Sequence, residues 1–291
     1  MISRSNGSSA VAASAYRHAT KMRIEHQGRE VSYESKSNVA HTEVAIPKDA
    51  PRWLTDKLDG KTPDQQAEAL WNAVEKFERR KDAQLSRETV VALPKELSAE
   101  QNIELAREFV SSLTERGQVA DWAFHNEPEN PHIHIMTTLR PLTQDGFGAK
   151  RTPLLDDKGE VVRSGAGKQT RAGENKNSRI VSVQWNGAKD DLMMERAQWQ
   201  DVANAHLLKH GHSDTIDHRS FADRGIELEP TIHRGPAEAV EKRVNGNEKV
   251  ARINSITAQN TALLKERPEI LFDQLTENMS VFDADDIARK V

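Results

Sequence analysis

Residues 125–136 read His125-Asn-Glu-Pro-Glu-Asn-Pro-His132-Ile-His134-Ile-Met136, and the placing of histidines, prolines and β-formers in this stretch decides the architecture. Val119 to Phe124 alternates apolar and small residues up to His125. His132 to Leu139 is β-favouring, and Asn126 to Pro131 between them holds two prolines and two asparagines, which predicts strand, turn, strand. Side chains alternate along a strand, so His132 and His134 share one face while Ile133 and Ile135 take the other. A turn that sets His125 opposite His132 brings all three imidazoles to one side of the sheet. Three neutral imidazoles around one point suit a divalent metal with open coordination positions. The simpler reading of a His-x-His pair on a strand is surface decoration.

Outward from the hairpin, the same periodicities predict the rest. Ser8 to Thr20 is alanine-rich and reads as a helix, with Val11, Ser14, Ala15 and His18 along one stripe and Tyr16 beside it. Met22 to Tyr33 is polar and carries Gly28, which suggests an irregular excursion. Val39 to Ile46 alternates as a strand that stops at Pro47. Pro51 to Lys57 and Asp64 to Lys81 read as helices, the second amphipathic through Ala67, Leu70, Trp71, Val74 and Phe77. Arg87 to Leu93 is a strand closed by Pro94. Ser98 and Gln101 form a capping box that opens a helix over Ala99 to Glu115, ended by Gly117 and buried through Ile103, Leu105, Ala106, Phe109, Val110 and Leu113. The order strand, helices, strand, helix, strand, strand predicts an α+β fold, a central antiparallel sheet flanked by helices.

Beyond the hairpin, Arg140 to Ser182 loses periodicity and fills with turn chemistry, Asp145-Gly-Phe-Gly148, Asp157-Lys-Gly-Glu160 and Ser164-Gly-Ala-Gly167. A loop of this length is usually functional or disordered. Lys189 to Lys209 returns to a helix, with Leu192, Met193, Arg196, Trp199, Val202, Ala203 and His206 expected on its inner face. Pro268 to Leu275 and Asp283 to Lys290 read as short helices in an acidic tail, and a domain boundary is expected near Val291.

Composition narrows the function. The 291 residues, 36% of them hydrophobic, allow one large domain or two ordinary ones. No apolar run approaches the roughly 20 residues of a membrane helix, and the start has no apolar signal region. The absence of cysteine excludes disulfides and thiolate metal sites and fits a reducing cytoplasm. A net charge of -4 argues against a uniformly basic nucleic-acid binder, so DNA contact would need local patches. Two are present. Residues 1–23 hold Arg4, Arg17, Lys21 and Arg23 with no acid, and residues 150–179, starting at Lys150 and Arg151, hold eight Lys or Arg against four Asp or Glu.

A metal centre here would serve a bound water, a serine or a tyrosine as nucleophile. The chain has two tyrosines, Tyr16 and Tyr33. Tyr16 ends a run of small residues that lets a helix lie close to a sheet with one phenol and one guanidinium projecting. A phenol has a pKa near 10, so attack at neutral pH needs a base or a positive field. The simpler reading is a packed ring with its hydroxyl hydrogen-bonded.

These residues fall into an ordered set of motifs: Ile2-Ser-Arg-Ser5, Ser9-Ala-Val-Ala-Ala-Ser-Ala-Tyr-Arg17, Val39-Ala-His-Thr-Glu-Val-Ala-Ile-Pro47, Leu70-Trp-Asn-Ala-Val-Glu-Lys-Phe-Glu78, Lys81-Asp-Ala-Gln-Leu-Ser-Arg-Glu88, Ala92-Leu-Pro-Lys-Glu-Leu97 and Asn130-Pro-His-Ile-His134. Thr137-Thr-Leu-Arg-Pro-Leu142, Ile216-Asp-His-Arg-Ser220 and Phe282-Asp-Ala-Asp-Asp-Ile-Ala-Arg289 continue it. Together they resemble the MobA/MobL (MobQ-type) relaxases of plasmid mobilisation, most closely the amino-terminal domain of TraA-type conjugal transfer relaxase-helicases. The order and spacing of the motifs make the likeness specific, and it spans nearly the whole chain.

The resemblance implies a histidine-hydrophobe-histidine (HUH) endonuclease with a palm-like two-layer sandwich, acting on single-stranded or hairpin origin-of-transfer (oriT) DNA. Tyr16 falls on the family's catalytic tyrosine, His125, His132 and His134 on its metal ligands for Mg²⁺ or Mn²⁺, and Glu88 on an acidic position that orients a ligand or takes the phenol proton. Arg4, Arg17, Lys21, Arg23, Lys150 and Arg151 become phosphate contacts. His218, Arg219 and His233 match family positions for which structural hydrogen bonding is the expected role. Also implied are relaxosome accessory proteins and a type IV secretion coupling protein as partners, a nicking domain over 1–236 that includes the 143–182 loop, and a helical extension over 237–291. Relatives carry a further strand ahead of Ile-Ser-Arg-Ser and a downstream helicase with a G-x-x-x-x-G-K-[ST] loop, which this sequence does not contain. Two other readings stay open, a phosphodiesterase using water at the same histidines and an oriT-binding protein without turnover.

Overall fold

The computed structural model describes residues 1–128, 130–164, 179–180, 182–187, 189–230, 232 and 246–270. Two compact units emerge, Met1–Val202 and Ala203–Val291. In the first, a five-stranded antiparallel sheet runs β1-β5-β7-β6-β4, formed by β1 (Ile2–Ser3), β4 (Val39–Ala45), β5 (Gln84–Ala92), β6 (Ala120–His125) and β7 (His132–Thr137). The expected α+β class holds, with helices on both sides of the sheet.

One face packs on α1 (Ala10–His18) and α3 (Pro63–Phe77), with α2 (Arg52–Leu58) behind them. Ala10, Val11, Ala15, Leu70, Trp71, Val74, Leu85 and Met136 form this core. The opposite face carries Trp122, Phe124, Ile133 and Ile135, all buried, and meets α4 (Ala99–Glu115), where Arg107 bonds Glu43 opposite Trp122 in the register. The capping boxes of Ser98/Gln101 and Thr62/Gln65 open α4 and α3. Gly117, at φ +82°, lets the chain turn out of α4 as few other residues can.

Charged groups inside this unit set α1 against the sheet. Asp121 of β6, 2% exposed, accepts hydrogen bonds from Ser14 Oγ (2.7 Å), Trp71 Nε1 (2.6 Å) and His18 Nε2 (2.6 Å), and His18 Nδ1 donates to Asp64 Oδ1 (2.8 Å). Burial opposes the charge on His18, but Asp121 and Asp64 outweigh it and raise its pKa to about 9. At the other end of α1, the carboxylate of Glu75, also buried, accepts from Ser9 Oγ (2.7 Å) and the backbone N–H of Ala10 (2.6 Å), which satisfies donors that a helix start leaves open.

The structure corrects several expectations. Met22 to Tyr33 is no irregular excursion but a hairpin, β2 (Lys21–Ile24) with β3 (Arg29–Ser32), in which Met22 and Ile24 alternate inward between exposed Lys21 and Arg23. Helix α3 stops at Phe77 rather than Lys81, because the Arg4 guanidinium caps the carbonyls of Glu75 and Glu78 and the Glu78 side chain turns to Arg140 and Lys150. Phe77 is largely exposed, set edge-on to Phe147. The stretch from Arg140 holds short strand pairs: β8 (Leu142–Thr143) with β9 (Gly146–Phe147), β10 (Arg151–Pro153) with β13 (Ser182–Gln184), and β11 (Arg163–Ser164) with β12 (Arg179–Ile180). Strands of two or three residues are too short to show periodicity.

Helix α5 spans Lys189–Lys209 as expected, but Leu192, Met193 and Arg196 face outward, while Glu195 is buried by ion pairs with Arg87 and Arg116. In the second unit, α6 (Gly246–Glu266) falls within the helical extension expected over 237–291, where no individual helix was expected ahead of Pro268. There Asn204 bonds Ile216 through both side-chain polar atoms, Asn260 does the same with Glu229, and Arg219 pairs with Asp217. The helices expected from Pro268 and Asp283 extend into or lie within 271–291, outside the described residues, as do His233 and the 165–178 part of the basic loop.

Candidate metal centre and nucleophile

The register of the hairpin is the expected one: His125 pairs with His132 and Ala123 with His134. Directly opposed residues share a face, and the three rings meet with centroids 5.2, 4.7 and 5.1 Å apart. One ring nitrogen from each lies within 4.8 Å of the others. The remaining nitrogens are engaged. His125 Nε2 bonds the Arg17 carbonyl (2.7 Å), His132 Nδ1 the Asn130 carbonyl (2.7 Å), and His134 Nδ1 the Glu88 carboxylate (3.0 Å). Each of these oxygens accepts a hydrogen bond from a ring N–H, which leaves Nδ1 of His125 and Nε2 of His132 and His134 as lone pairs. Outer acceptors that fix tautomer and ring orientation in this way accompany metal-binding histidines. Burial pushes the His125 pKa down to about 4, the Arg17 carbonyl only partly opposing it. That ring is therefore neutral at pH 6 and above, so protons do not compete for it. An all-nitrogen set of three with no acid among the ligands fits a divalent cation that keeps positions open for oxygen ligands.

Glu88, on β5, sits between His134 and Arg17. Its Oε1 accepts from His134 Nδ1 (3.0 Å) and Arg17 Nε (2.6 Å), and Arg17 Nη2 is also in contact. Burial would raise its pKa, but the bonds from His134 and Arg17 prevail and hold it at about 2. Such a carboxylate is a poor match for a phenol proton and a good orienting group for His134. Glu88→Gln is expected to weaken Mn²⁺ binding about 10–100-fold while leaving the chain folded. Titration followed by electron paramagnetic resonance measures this, and unchanged affinity would restrict Glu88 to its pairing with Arg17.

Small residues let α1 press on the sheet: Ala10, Val11, Ser14 and Ala15 are buried and Ser9 caps the start through Ala12 N. Tyr16 points outward, 47% exposed. Its ring meets Tyr33 edge-on at 5.3 Å, and Lys36 Nζ stands 3.8 Å from the ring centroid, a cation–π contact. The next residue, Arg17, gives its carbonyl to His125, so the tyrosine is one residue from a group that touches the histidine cluster. Ala19, at φ +52°, then turns the chain into β2.

The residues expected to contact phosphate divide. Arg4 caps α3, Arg17 holds Glu88 and the Ala13 carbonyl, and Lys150 binds Glu78 and the Gln84 carbonyl. These cations serve the fold or the site. Lys21, paired with Glu30, Arg23 and Arg151 are exposed. Sequence reasoning missed Tyr33 and Lys36 beside Tyr16, and Asp121 as the anchor of Ser14 and His18 on α1. Asp121 lies four residues before His125 on the same strand, an even spacing that marks the same face and was the signal available for it. Nothing in the local sequence marks Lys36.

Residues 8–243 match the MobA/MobL family. The probable conjugal transfer protein TraA of Sinorhizobium fredii is 40% identical over 99% of this chain and 26% of that protein, and TraA of Agrobacterium fabrum is 39% identical with the same coverage. The mobilization protein MobL of Acidithiobacillus ferridurans is 34% identical over 85% of this chain and 63% of its own. This chain thus spans about a quarter of the TraA proteins it matches. Among solved structures, one described as the molecular basis of vancomycin resistance transfer in Staphylococcus aureus matches with a TM-score of 0.54 and 31% identity, over 75% of this chain and 95% of that one.

Proposed function

The chain belongs to the MobA/MobL family, and from that membership we propose that it is the nicking domain of a conjugative relaxase, cutting one strand of oriT DNA by transesterification on Tyr16. The observation that carries the reading is the convergence of His125, His132 and His134, each with its second nitrogen occupied, at the last turn of α1, where Arg17 gives its carbonyl to His125 and the preceding Tyr16 is exposed. The names of the relatives, conjugal transfer and mobilization proteins, support the same reading.

His125, His132 and His134 would hold the divalent ion, Mg²⁺ or Mn²⁺. When bound, that ion supplies positive charge to the phosphate oxygens as negative charge builds on them. Glu88 and the Arg17 and Asn130 carbonyls keep the three rings in the tautomers that present lone pairs. Tyr33 and Lys36 restrict the Tyr16 ring, which cuts the entropy lost on reaching an attacking position. In the reaction the Tyr16 oxygen forms a bond to phosphorus and the bond from phosphorus to the 3′ oxygen breaks; the phenol proton passes to solvent at this exposed position, and the leaving 3′ oxygen takes a proton from solvent. The products are a 5′-phosphotyrosyl strand and a free 3′ hydroxyl. One phosphodiester replaces another, so no nucleotide is consumed and the reverse step reseals the strand. Lys21, Arg23 and Arg151, exposed on β2 and β10, are the phosphate contacts of this proposal.

The full reading includes residues 1–236 as the nicking domain with 237–291 as a helical extension, action in the cytoplasm, and partnership with accessory proteins and a coupling protein of type IV secretion. Among the described residues no helix is long and apolar enough to cross a membrane.

A single-stranded oligonucleotide carrying a cognate nick site, incubated with the chain and Mn²⁺, is expected to yield a protein–DNA adduct that is absent with Tyr16→Phe and with chelator. Free cleaved product that survives Tyr16→Phe would support hydrolysis by water instead. Binding without cleavage by the native chain would support a non-catalytic role.

A further inference from the structure

We propose that His18 is a positioning residue for the metal centre: clamped between Asp121 and Asp64, it fixes the peptide plane whose carbonyl orients His125. The proposal rests on the reading of the three histidines as metal ligands.

The Arg17 carbonyl carbon is bonded to His18 nitrogen, and a peptide unit is planar. The acceptor that holds His125 Nε2 at 2.7 Å and the clamped residue therefore belong to one rigid group. Both ring nitrogens of His18 are bonded to carboxylates, at 2.6 Å to Asp121 and 2.8 Å to Asp64, so the ring cannot turn without losing a bond. Asp121 also holds Ser14, one turn earlier on α1, and Trp71 on α3. Asp121 and His125 lie on the same strand and face, four residues or about 13 Å apart. Helix α1 is thus tied to β6 twice, at Asp121 through Ser14 and His18, and at His125 through the Arg17 carbonyl. Two ties fix the rotation of the last helical turn as well as its position. This is the turn that carries Tyr16, Arg17 and His18. No mutation removes a backbone carbonyl, so His18 is the side chain through which that contact can be tested.

The test is His18→Asn, with ¹⁵N-histidine NMR on the metal-free chain and Mn²⁺ titration that separates stoichiometry from affinity. In the native chain His125 is expected as the Nε2–H tautomer. In the variant the two tautomers should mix, and Mn²⁺ should bind at unchanged stoichiometry with about 10-fold weaker affinity, at the lower end of the effect of losing an outer partner. A purely structural role for His18 would instead lower the stoichiometry with the unfolded fraction and leave affinity unchanged. A folded variant with native tautomer and native affinity overturns the proposal. If His18→Asn does not fold, Asp64→Asn, at the exposed side of the clamp, is read by the same two criteria. The tautomer needs no metal, so a chain that fails to bind Mn²⁺ yet shows the His125 change upholds the positioning role and sinks the metal reading.

Discussion

Replacing His132 by alanine should reduce Mn²⁺ affinity by more than about 100-fold, past the 10–100-fold expected from loss of an outer partner, and nicking should fall with it. His132 is chosen because it stands at the rim, half-buried, with Asn130 as its ring's hydrogen-bond acceptor. Its removal leaves the core unbroken, whereas His125 is packed beneath α1 with Arg17. Titration of the native and variant chains by electron paramagnetic resonance, alongside their melting temperatures, measures the change. Equal melting with lost affinity identifies a ligand. Retained affinity in a folded His132→Ala chain would mean that the three rings converge for packing alone.

The largest effect on stability is expected at Asp121. Asp121→Ala leaves His18 charged in a buried site with one carboxylate fewer, and strips Ser14 and Trp71 of their acceptor. Breaking a buried pair from one side costs about 3–5 kcal/mol, which for a unit of this size lowers the melting temperature by roughly 6–20 °C. The pH dependence follows from the same contacts. The His18 pKa is raised to about 9 in the folded chain from an ordinary 6.5, so its stabilisation is complete below pH 6.5 and is lost as pH rises through 9. Asp121 is held below the usual carboxylate range despite its burial, by the charge and hydrogen bond of His18. Asp64 is lowered chiefly by its bond from His18. Their contribution is present above pH 3.8 and is lost as pH falls further. Thermal melts from pH 3 to 10 should therefore show a plateau between about 4 and 6.5 from this cluster. Asp121→Asn removes the charge that keeps His18 protonated, so the decline between pH 7 and 9 should flatten. An unchanged alkaline decline would place its origin elsewhere.

The hairpin was legible because a strand has only two faces: once a turn set His125 opposite His132, the convergence of three rings followed. Helix α4 was legible because Ser98, Gln101 and Gly117 each carry a local signal for an end. Tyr16 was legible from the small residues before it, though its chemical role came from the resemblance to relaxases. What escaped was buried charge. Asp121, Glu75 and Glu195 read as surface residues in any local window, because their partners stand 50 to 108 residues away in the chain: Ser14, Trp71 and His18 for Asp121, Ser9 and Ala10 for Glu75, Arg87 and Arg116 for Glu195. The same distance hid the start of the inner face of α5, where Glu195 is buried and Leu192, Met193 and Arg196 are exposed, while Ala203 and His206 further along are buried as expected. The β2–β3 hairpin was missed for a different reason: its two inward residues, Met22 and Ile24, are too few to stand out among polar neighbours.

In the proposed reaction Tyr16 carries the DNA. Trapping the chain on an oligonucleotide with a cognate nick site in Mn²⁺, digesting the complex and sequencing the peptides by mass spectrometry locates the linkage. A nucleotide attached through its 5′ phosphate to Tyr16 alone is expected, with a free 3′ hydroxyl on the released fragment. A linkage at Tyr33 or at a serine, or cleaved DNA with no protein attached, would contradict it.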